Sequence, residues 1–314
     1  MQGQLSQKIT MLRRWGRILG GGTAVAIEQG RGRASKPGQL LGYWNDLTGK
    51  VSADTLLDSE NVPLSVIAGG ERCHFPIAIF QYALGCNDLY LINGQERYLD
   101  AIRTCADWAI ANQRENGSWD AFGPIGSARY TVSSMAQGEG ASLLLRASYL
   151  LDNASYAEFA KGAIDFMLLS LLEGGTAVYE DEALFLEEYP QTPRRSVMNG
   201  WIFSLFGLYD ILLVDPSYTE VFELSTQTLV NHLSDYDAGY WTYYDLEHRI
   251  ASPAYHKLHI AQLQELGEIS GMSEFTVFAE KLESYQSNDL KRAKAIIRKL
   301  GQKITEKSDA VILQ

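Results

Sequence analysis

Cysteine is scarce: Cys73, Cys86 and Cys105 are the only three in 314 residues. An odd count in a long chain is no disulfide framework, and none of them stands at metal-ligand spacing, so they read as small buried hydrophobes. No run of eighteen or more apolar residues occurs, so no helix spanning a bilayer is expected. Basic charge is in deficit as well, with 27 Lys and Arg against 38 Asp and Glu and a net charge of −11. That argues against general nucleic-acid binding. A polyanionic substrate stays open, provided its basic contacts are local. Gly-rich phosphate loops, nucleophile elbows and dinucleotide fingerprints are all missing, so no nucleotide cofactor is expected. No metal is expected either. His256 and His259 lie three apart on one helix face but lack a third ligand at recognisable spacing, and read as hydrogen-bonded site or core histidines.

The charge is unevenly spread. Residues 1–40 carry Lys8, Arg13, Arg14, Arg17, Arg31, Arg33 and Lys36 against Glu28 alone, a net of +6 that leaves −17 for the remainder. Within this stretch Leu5, Ile9, Leu12, Trp15 and Leu19 recur at helical spacing. The stripe predicts a basic, helical N-terminal extension that packs on the protein itself or on a second subunit of a homodimer. The run 19–27 is short and glycine-rich for a signal peptide and reads as uncleaved. A cytoplasmic location is expected, with secretion or the periplasm left open.

From residue 74 onward apolar residues recur at helical spacing in pairs of segments. Segments 75–92 and 95–113 are split by Asn93-Gly94, and 133–151 and 156–172 by Asp152-Asn153. Segments 200–214 and 218–233 are split by Asp215-Pro216-Ser217, and 255–270 and 273–284 by Gly271. Such residues stop and start helices, and short turns make each pair antiparallel. Residues 288–300 read as one more, basic helix. Longer segments, 114–132, 173–198 and 234–254, join the hairpins and fall at one end of the bundle, with 41–73 beside them. The pattern predicts an all-α fold, an α/α toroid forming an incomplete barrel of about four hairpins, with a small β-hairpin tipped by residues 179–182 in a rim loop. The expected organisation is a 1–40 extension, a 41–300 catalytic domain and a 301–314 tail.

The long loops carry unusual chemistry. The first holds Trp119, Asp120, Arg129 and Tyr130 and leads into Gln137-Gly138-Glu139. The second reads Phe185-Leu186-Glu187-Glu188-Tyr189-Pro190 and continues to Arg194 and Arg195. The third runs from Tyr236 through Tyr240, Trp241, Tyr244, Asp245 and Arg249 to Tyr255 and His256. Aromatic faces suit the apolar C–H faces of sugar rings. Trp119, Tyr240 and Trp241 are equally able to plug the end of the toroid.

These residues resemble the C-terminal catalytic domain of the D-glucuronyl C5-epimerases. The strongest block is Leu186-Glu187-Glu188-Tyr189-Pro190, followed by Met198-Asn199-Gly200-Trp201 and Gly207-Leu208-Tyr209-Asp210. Further matches are Met135-Ala136-Gln137-Gly138, Tyr244-Asp245-Leu246 and Tyr255-His256 with His259 and Gln262. The resemblance covers roughly residues 75–285. It departs at Glu247, where the family commonly has Arg, and at Glu139, where it has Gln. It implies inversion of D-glucuronate to L-iduronate within a heparosan-like polysaccharide. The implied catalytic groups are Tyr189, Tyr244, Tyr255 and Glu188. Arg129, Gln137, Glu139, Arg194, Arg195, Asn199, Arg249 and His256 are the candidates for holding substrate.

Inversion at C5 needs a base on one face of the ring, an acid on the other and something to hold the carboxylate as charge builds on it. Tyrosine serves either proton role when its setting shifts its ordinary pKa of about 10. A polysaccharide lyase shares the same carbanion and then expels the C4 substituent. A glycoside hydrolase would instead need two carboxylates flanking a glycosidic bond, Glu188 with Asp120 or Asp245.

Overall fold

A computed structural model describes residues 29–305, except 68 and 128 and the side chains of 303–305. The apolar stripe of residues 5–19, the run 19–27 and the tail beyond 305 lie outside the described residues. Nine α-helices occur among the described residues. They are α1 Pro76–Asn93, α2 Glu96–Asn112, α3 Ser134–Leu150, α4 Ser155–Leu168, α5 Met198–Leu212, α6 Thr219–His232, α7 Pro253–Ser270, α8 Ser273–Gln286 and α9 Asp289–Thr305. None is long and apolar enough to cross a membrane. The first eight form the four expected hairpins. Gly94 and Gly271 end α1 and α7 in the left-handed region, with φ of 68° and 71°, where glycine alone is unstrained.

Burial separates two layers. Every residue of α3 from Ser134 to Ala147 is buried, as is every residue of α5 from Met198 to Ile211. The helix α2 buries one stripe, Ile102, Cys105, Ala106 and Ala109, as an outer helix should. Thus α1, α3, α5 and α7 form the inner layer, packed in that order, and α2, α4, α6 and α8 back them. The result is an α/α toroid open as an arc. At its centre α3 and α5 touch through their backbones. A Cβ on Gly207 would lie 2.4 Å from the Gly138 Cα, and one on Gly138 would lie 2.7 Å from the Phe203 carbonyl oxygen.

Because every inner helix is followed by an antiparallel outer one, the inner helices run the same way. Their N-termini meet at one rim, fed by the long connections 113–133, 169–197 and 233–252. One of these carries the expected β-hairpin, with β3 Ala177–Glu180 antiparallel to β4 Ala183–Leu186 and Asp181 in the turn at φ 49°. That hairpin shortens α4, expected to reach residue 172 and ending at Leu168. The Ala177 amide donates to the Leu169 carbonyl at 3.0 Å and draws the chain out of the helix.

The opposite end is closed by a strap, and here expectation fails. Residues 41–73 were placed at the rim, but the first of them cross the C-terminal ends of the inner helices. Arg146 on α3 donates to the carbonyls of Leu41 and Gly42 at 3.0 and 2.9 Å. The Tyr43 amide reaches Asp88 on α1, and the Trp44 indole reaches Asp210 on α5, both at 2.9 Å. Residues 29–40 belong to the same strap. Arg31 pairs with Glu265 on α7 at 2.6 Å, and the Gly38 amide donates to Tyr209 at 3.0 Å. The chain then returns to the rim, where His74 pairs with Asp58 at 2.8 Å beside a short hairpin, β1 Ser65–Val66 with β2 Arg72–Cys73.

Arg146 and Asp210 are almost wholly buried and 2.5 Å apart. Arg146→Ala leaves a buried carboxylate without its cation and should cost about 3–5 kcal/mol in a urea unfolding titration. Lys161→Ala, at a half-exposed pair with Asp165, should cost no more than about 1 kcal/mol.

Candidate active site

β4 delivers two adjacent glutamates with different duties. Glu187 accepts from the backbone amides of Ser196 and Arg195 at 2.8 and 3.2 Å and from the Ser196 hydroxyl. This ties the loop after Pro190 into place. Glu188 lies against the start of α5. A Cβ on Gly200 would come within 2.4 Å of its Oε2, so glycine is needed there for the carboxyl to fit. That Oε2 is buried and has no hydrogen-bond partner. Burial pushes the Glu188 carboxyl up to about 7, against the opposing pull of a hydrogen bond from Tyr189 and the charge of Arg195.

Tyr244 and Tyr255 approach from the third loop and α7. The Met198 amide donates to the Tyr244 carbonyl at 3.1 Å, fastening that loop to α5. Ser252 caps α7 by accepting from the Tyr255 amide at 3.3 Å. The two rings meet edge to face with centroids 4.9 Å apart. Tyr255 is the open member, with 40 % of its surface accessible. Burial, with the charge of Glu188 adding to it, pushes its phenol up to about 12, and the bond from Tyr244 pulls it back. Burial raises Tyr189 and Tyr244 well above the ordinary phenol range, and Glu188 contributes to both shifts. The three tyrosines and Glu188 thus form one group whose members sense one another.

Two guanidiniums flank this group. Arg195 stands over the Tyr189 ring and Arg249 over the Tyr244 ring, each 5.3 Å from the centroid. Both bond to the buried Asp245, Arg195 at 3.1 Å and Arg249 at 2.6 Å through Nε. Glu247, where the resembling family commonly has Arg, forms an ion pair with Arg195 at 3.3 Å. Phe122 stacks on Tyr189 at 5.1 Å and Tyr130 meets it edge-on at 5.2 Å. Phe122 was not singled out in the sequence, although its place in the aromatic first loop was a usable sign.

Deeper between the helices lies Glu139 on α3. Its Oε1 accepts from Gln81 at 2.9 Å and its buried Oε2 has no partner. Burial pushes it up to about 8, against Gln81 and Lys50.

Other expected substrate contacts have structural duties. Gln137 is fully buried, donates to the carbonyls of Gly117 and Ala163 at 2.9 and 3.1 Å, and accepts from the Trp119 amide. It pins the first loop. Arg194 turns to the β-hairpin, paired with Glu180 and 4.0 Å from the centroid of Phe185. Both ring nitrogens of His256 are engaged, by Thr242 at 2.8 Å and the Leu282 carbonyl at 3.1 Å. Trp119 and Trp241 are buried plugs, their indoles bonded to the carbonyls of Ala109 and Ala251. Arg129 is exposed at the mouth beside Tyr130. Asn199 is buried at the start of α5 with its Oδ1 unpartnered.

The loop-bearing rim of the helical toroid thus gathers phenols and a protonatable carboxyl, groups able to give and take protons. Residues 114–284 match the family model described as D-glucuronyl C5-epimerase C-terminus. The match spans more than half of the chain, which belongs to this family. The D-glucuronyl C5-epimerase of Caenorhabditis elegans is 29% identical over 203 residues, covering 56% of this chain and 33% of that protein. The chain thus spans about a third of that relative's length. Among solved structures, an unsaturated glucuronyl hydrolase from Streptococcus agalactiae is similar over 67% of this chain and 56% of its own, at 16% identity and a TM-score of 0.47.

Glu139 keeps its proton in the folded chain far above the pH at which an unfolded chain releases it. Stability conferred by this group is therefore full below about pH 4.5 and lost as the pH rises toward about 8. Glu139→Gln should leave the thermal midpoint unchanged near pH 4 and raise it near pH 8.5, followed by circular dichroism. An equal effect at both values would show that folding leaves the carboxyl's pKa unshifted.

Proposed function

We propose that this chain inverts C5 of D-glucuronate units, giving L-iduronate, within a heparosan-like polysaccharide. The observation that carries the reading is the gathering of Glu188, Tyr189, Tyr244 and Tyr255 into one group at the rim, with the Tyr244 and Tyr255 rings 4.9 Å apart. The C5 proton lies α to a carboxylate, and its removal leaves an enediolate-like intermediate. In the reaction we assign, the Tyr189 oxygen takes that proton while its own passes to Glu188, whose raised pKa lets it hold one near neutrality. Tyr255 then supplies a proton to the opposite face of C5, and the hydrogen bond from Tyr244 stabilises the phenolate left behind. One C5–H bond breaks and another forms. Exchange with solvent returns the proton from Glu188 and refills Tyr255.

Arg195 and Arg249 supply positive charge for the substrate carboxylate. So do the N-termini of the inner helices, which bring partial positive charge to the same rim. Family membership supports the substrate class. The hydrolase alternative is disfavoured because Asp245 is held between two guanidiniums and Asp120 is paired with Arg114 at 3.0 Å.

The test is to incubate the protein with heparosan oligosaccharides in deuterated water and follow C5 by NMR. Tyr189→Phe and Tyr255→Phe should each slow inversion by about 10²-fold or more while melting changes little. Tyr255→Phe should still wash deuterium into unconverted glucuronate, because the base of that half-reaction is intact. The unaltered protein should gain rate as the pH rises through about 7, and Glu188→Gln should abolish that rise. Phe variants that keep the full rate would remove the tyrosines from the mechanism. An ultraviolet-absorbing unsaturated product would make the chain a lyase, and new reducing ends would make it a hydrolase.

A further inference from the structure

Tyr255, His259 and Gln262 occupy positions i, i+4 and i+7 of α7 and line one face of it. Gln262 presents that face to α5, where its Nε2 donates to the Asn199 carbonyl at 3.2 Å. That bond identifies the other amide atom as oxygen, and Gln262 Oε1 is buried without a partner. His259, between Tyr255 and Gln262, is fully buried, and its Nε2 also has no partner.

A chain of three hydrogen bonds dictates which His259 nitrogen carries the proton. The Leu282 carbonyl can only accept, so His256 Nε2, 3.1 Å away, bears a proton. Burial lowers His256 to about 4 and keeps the ring neutral, which makes its Nδ1 a lone pair. Thr242 Oγ1, 2.8 Å away, donates to that lone pair. With its only proton committed, the hydroxyl accepts from His259 Nδ1 at 3.3 Å. Burial keeps His259 neutral as well, at about 3, so its remaining nitrogen is a lone pair. Two buried acceptors therefore stand on the Tyr255 face of α7 and meet no donor from the protein. Asn199 Oδ1, at the start of the facing helix, is unpartnered too.

The geometry points to a saccharide subsite in which His259 Nε2 and Gln262 Oε1 accept hydrogen bonds from sugar hydroxyl groups, with Asn199 as the third polar lining. Resting on the proposed function, it orients the reacting unit: the hydroxyl edge turns to α7 and the carboxylate to Arg195 and Arg249. Lone pairs repel a carboxylate, and neither acceptor carries the negative charge that would favour an ammonium. Neutral hydroxyls match this pair. Thr242 acts through His259 and is a positioning residue.

The test uses the full chain labelled with ¹⁵N-histidine. In the free protein His259 Nε2 should resonate as an unprotonated nitrogen. Saturating heparosan oligosaccharide should shift it toward the protonated position, as accepting a hydrogen bond does. His259→Leu and Thr242→Val should raise KM about tenfold with a smaller change in kcat, and Thr242→Ser should restore the original KM. A protonated Nε2 in the free protein overturns the proposal. So does a resonance that stays still while bound oligosaccharide shifts other signals, which would leave water as the occupant. Absence of deuterium at C5 would defeat the epimerase reading alone, since the Nε2 shift reports saccharide binding without turnover.

Discussion

Everything at the rim depends on how closely α3 and α5 approach. Gly138 and Gly207 let the two backbones touch, and the buried Arg146–Asp210 pair locks the contact near the far ends of the same helices. Ser142 and Trp44 also donate to Asp210, at 2.6 and 2.9 Å, so the carboxylate is well satisfied. With α3 and α5 held, the starts of both helices are fixed relative to each other. The segments that enter them carry Glu188 and Tyr189 on one side, and the Tyr244 loop is fastened to α5 on the other. A side chain at either glycine would spread the helices and separate Glu188 and Tyr189 from Tyr244. Part of the sequence likeness to the epimerases is thus a likeness of packing, and only part is chemistry.

Burial sets the charge state of the cleft. It pushes the Glu139 and Glu188 carboxyls and the rim phenols upward and His256 and His259 downward, so each of these groups favours its neutral form. The fixed positive charges near the tyrosines belong to Arg195 and Arg249, and burial raises Asp245 between them to about 7. A chain with a net charge of −11 thereby provides a local setting in which an anion is tolerated.

The hairpins were legible because helix periodicity and turn residues are local signals. So was the β-hairpin, whose turn residues stand beside the strands they join. The rim tyrosines stood out through the loops they occupy and the family resemblance. The strap was not legible: its partners are backbone carbonyls meeting Arg146 across more than a hundred residues, and spacing carries no trace of that. The packing duties of Gln137 and His256 were hidden for a related reason. A polar residue in a motif looks the same whether it faces a ligand or a carbonyl such as that of Ala163 or Leu282. His259 differs from His256 only in lacking a final partner, which becomes visible once every buried hydrogen bond is traced.

The strap has a consequence for any long substrate. It runs from α7 to α1, the two ends of the arc, and sets Tyr43, Trp44 and Leu47 wholly buried across the base. The cleft is a cup with a floor, unlike the bore of a ring. A polymer laid on such a cup enters and leaves by the same mouth and has nothing to thread. A unit in the middle of a strand is then as reachable as one at a terminus. On the proposed function a strand would have to bend to lower a single sugar to the tyrosines, so the stiffness of the polymer itself would become part of what the site selects.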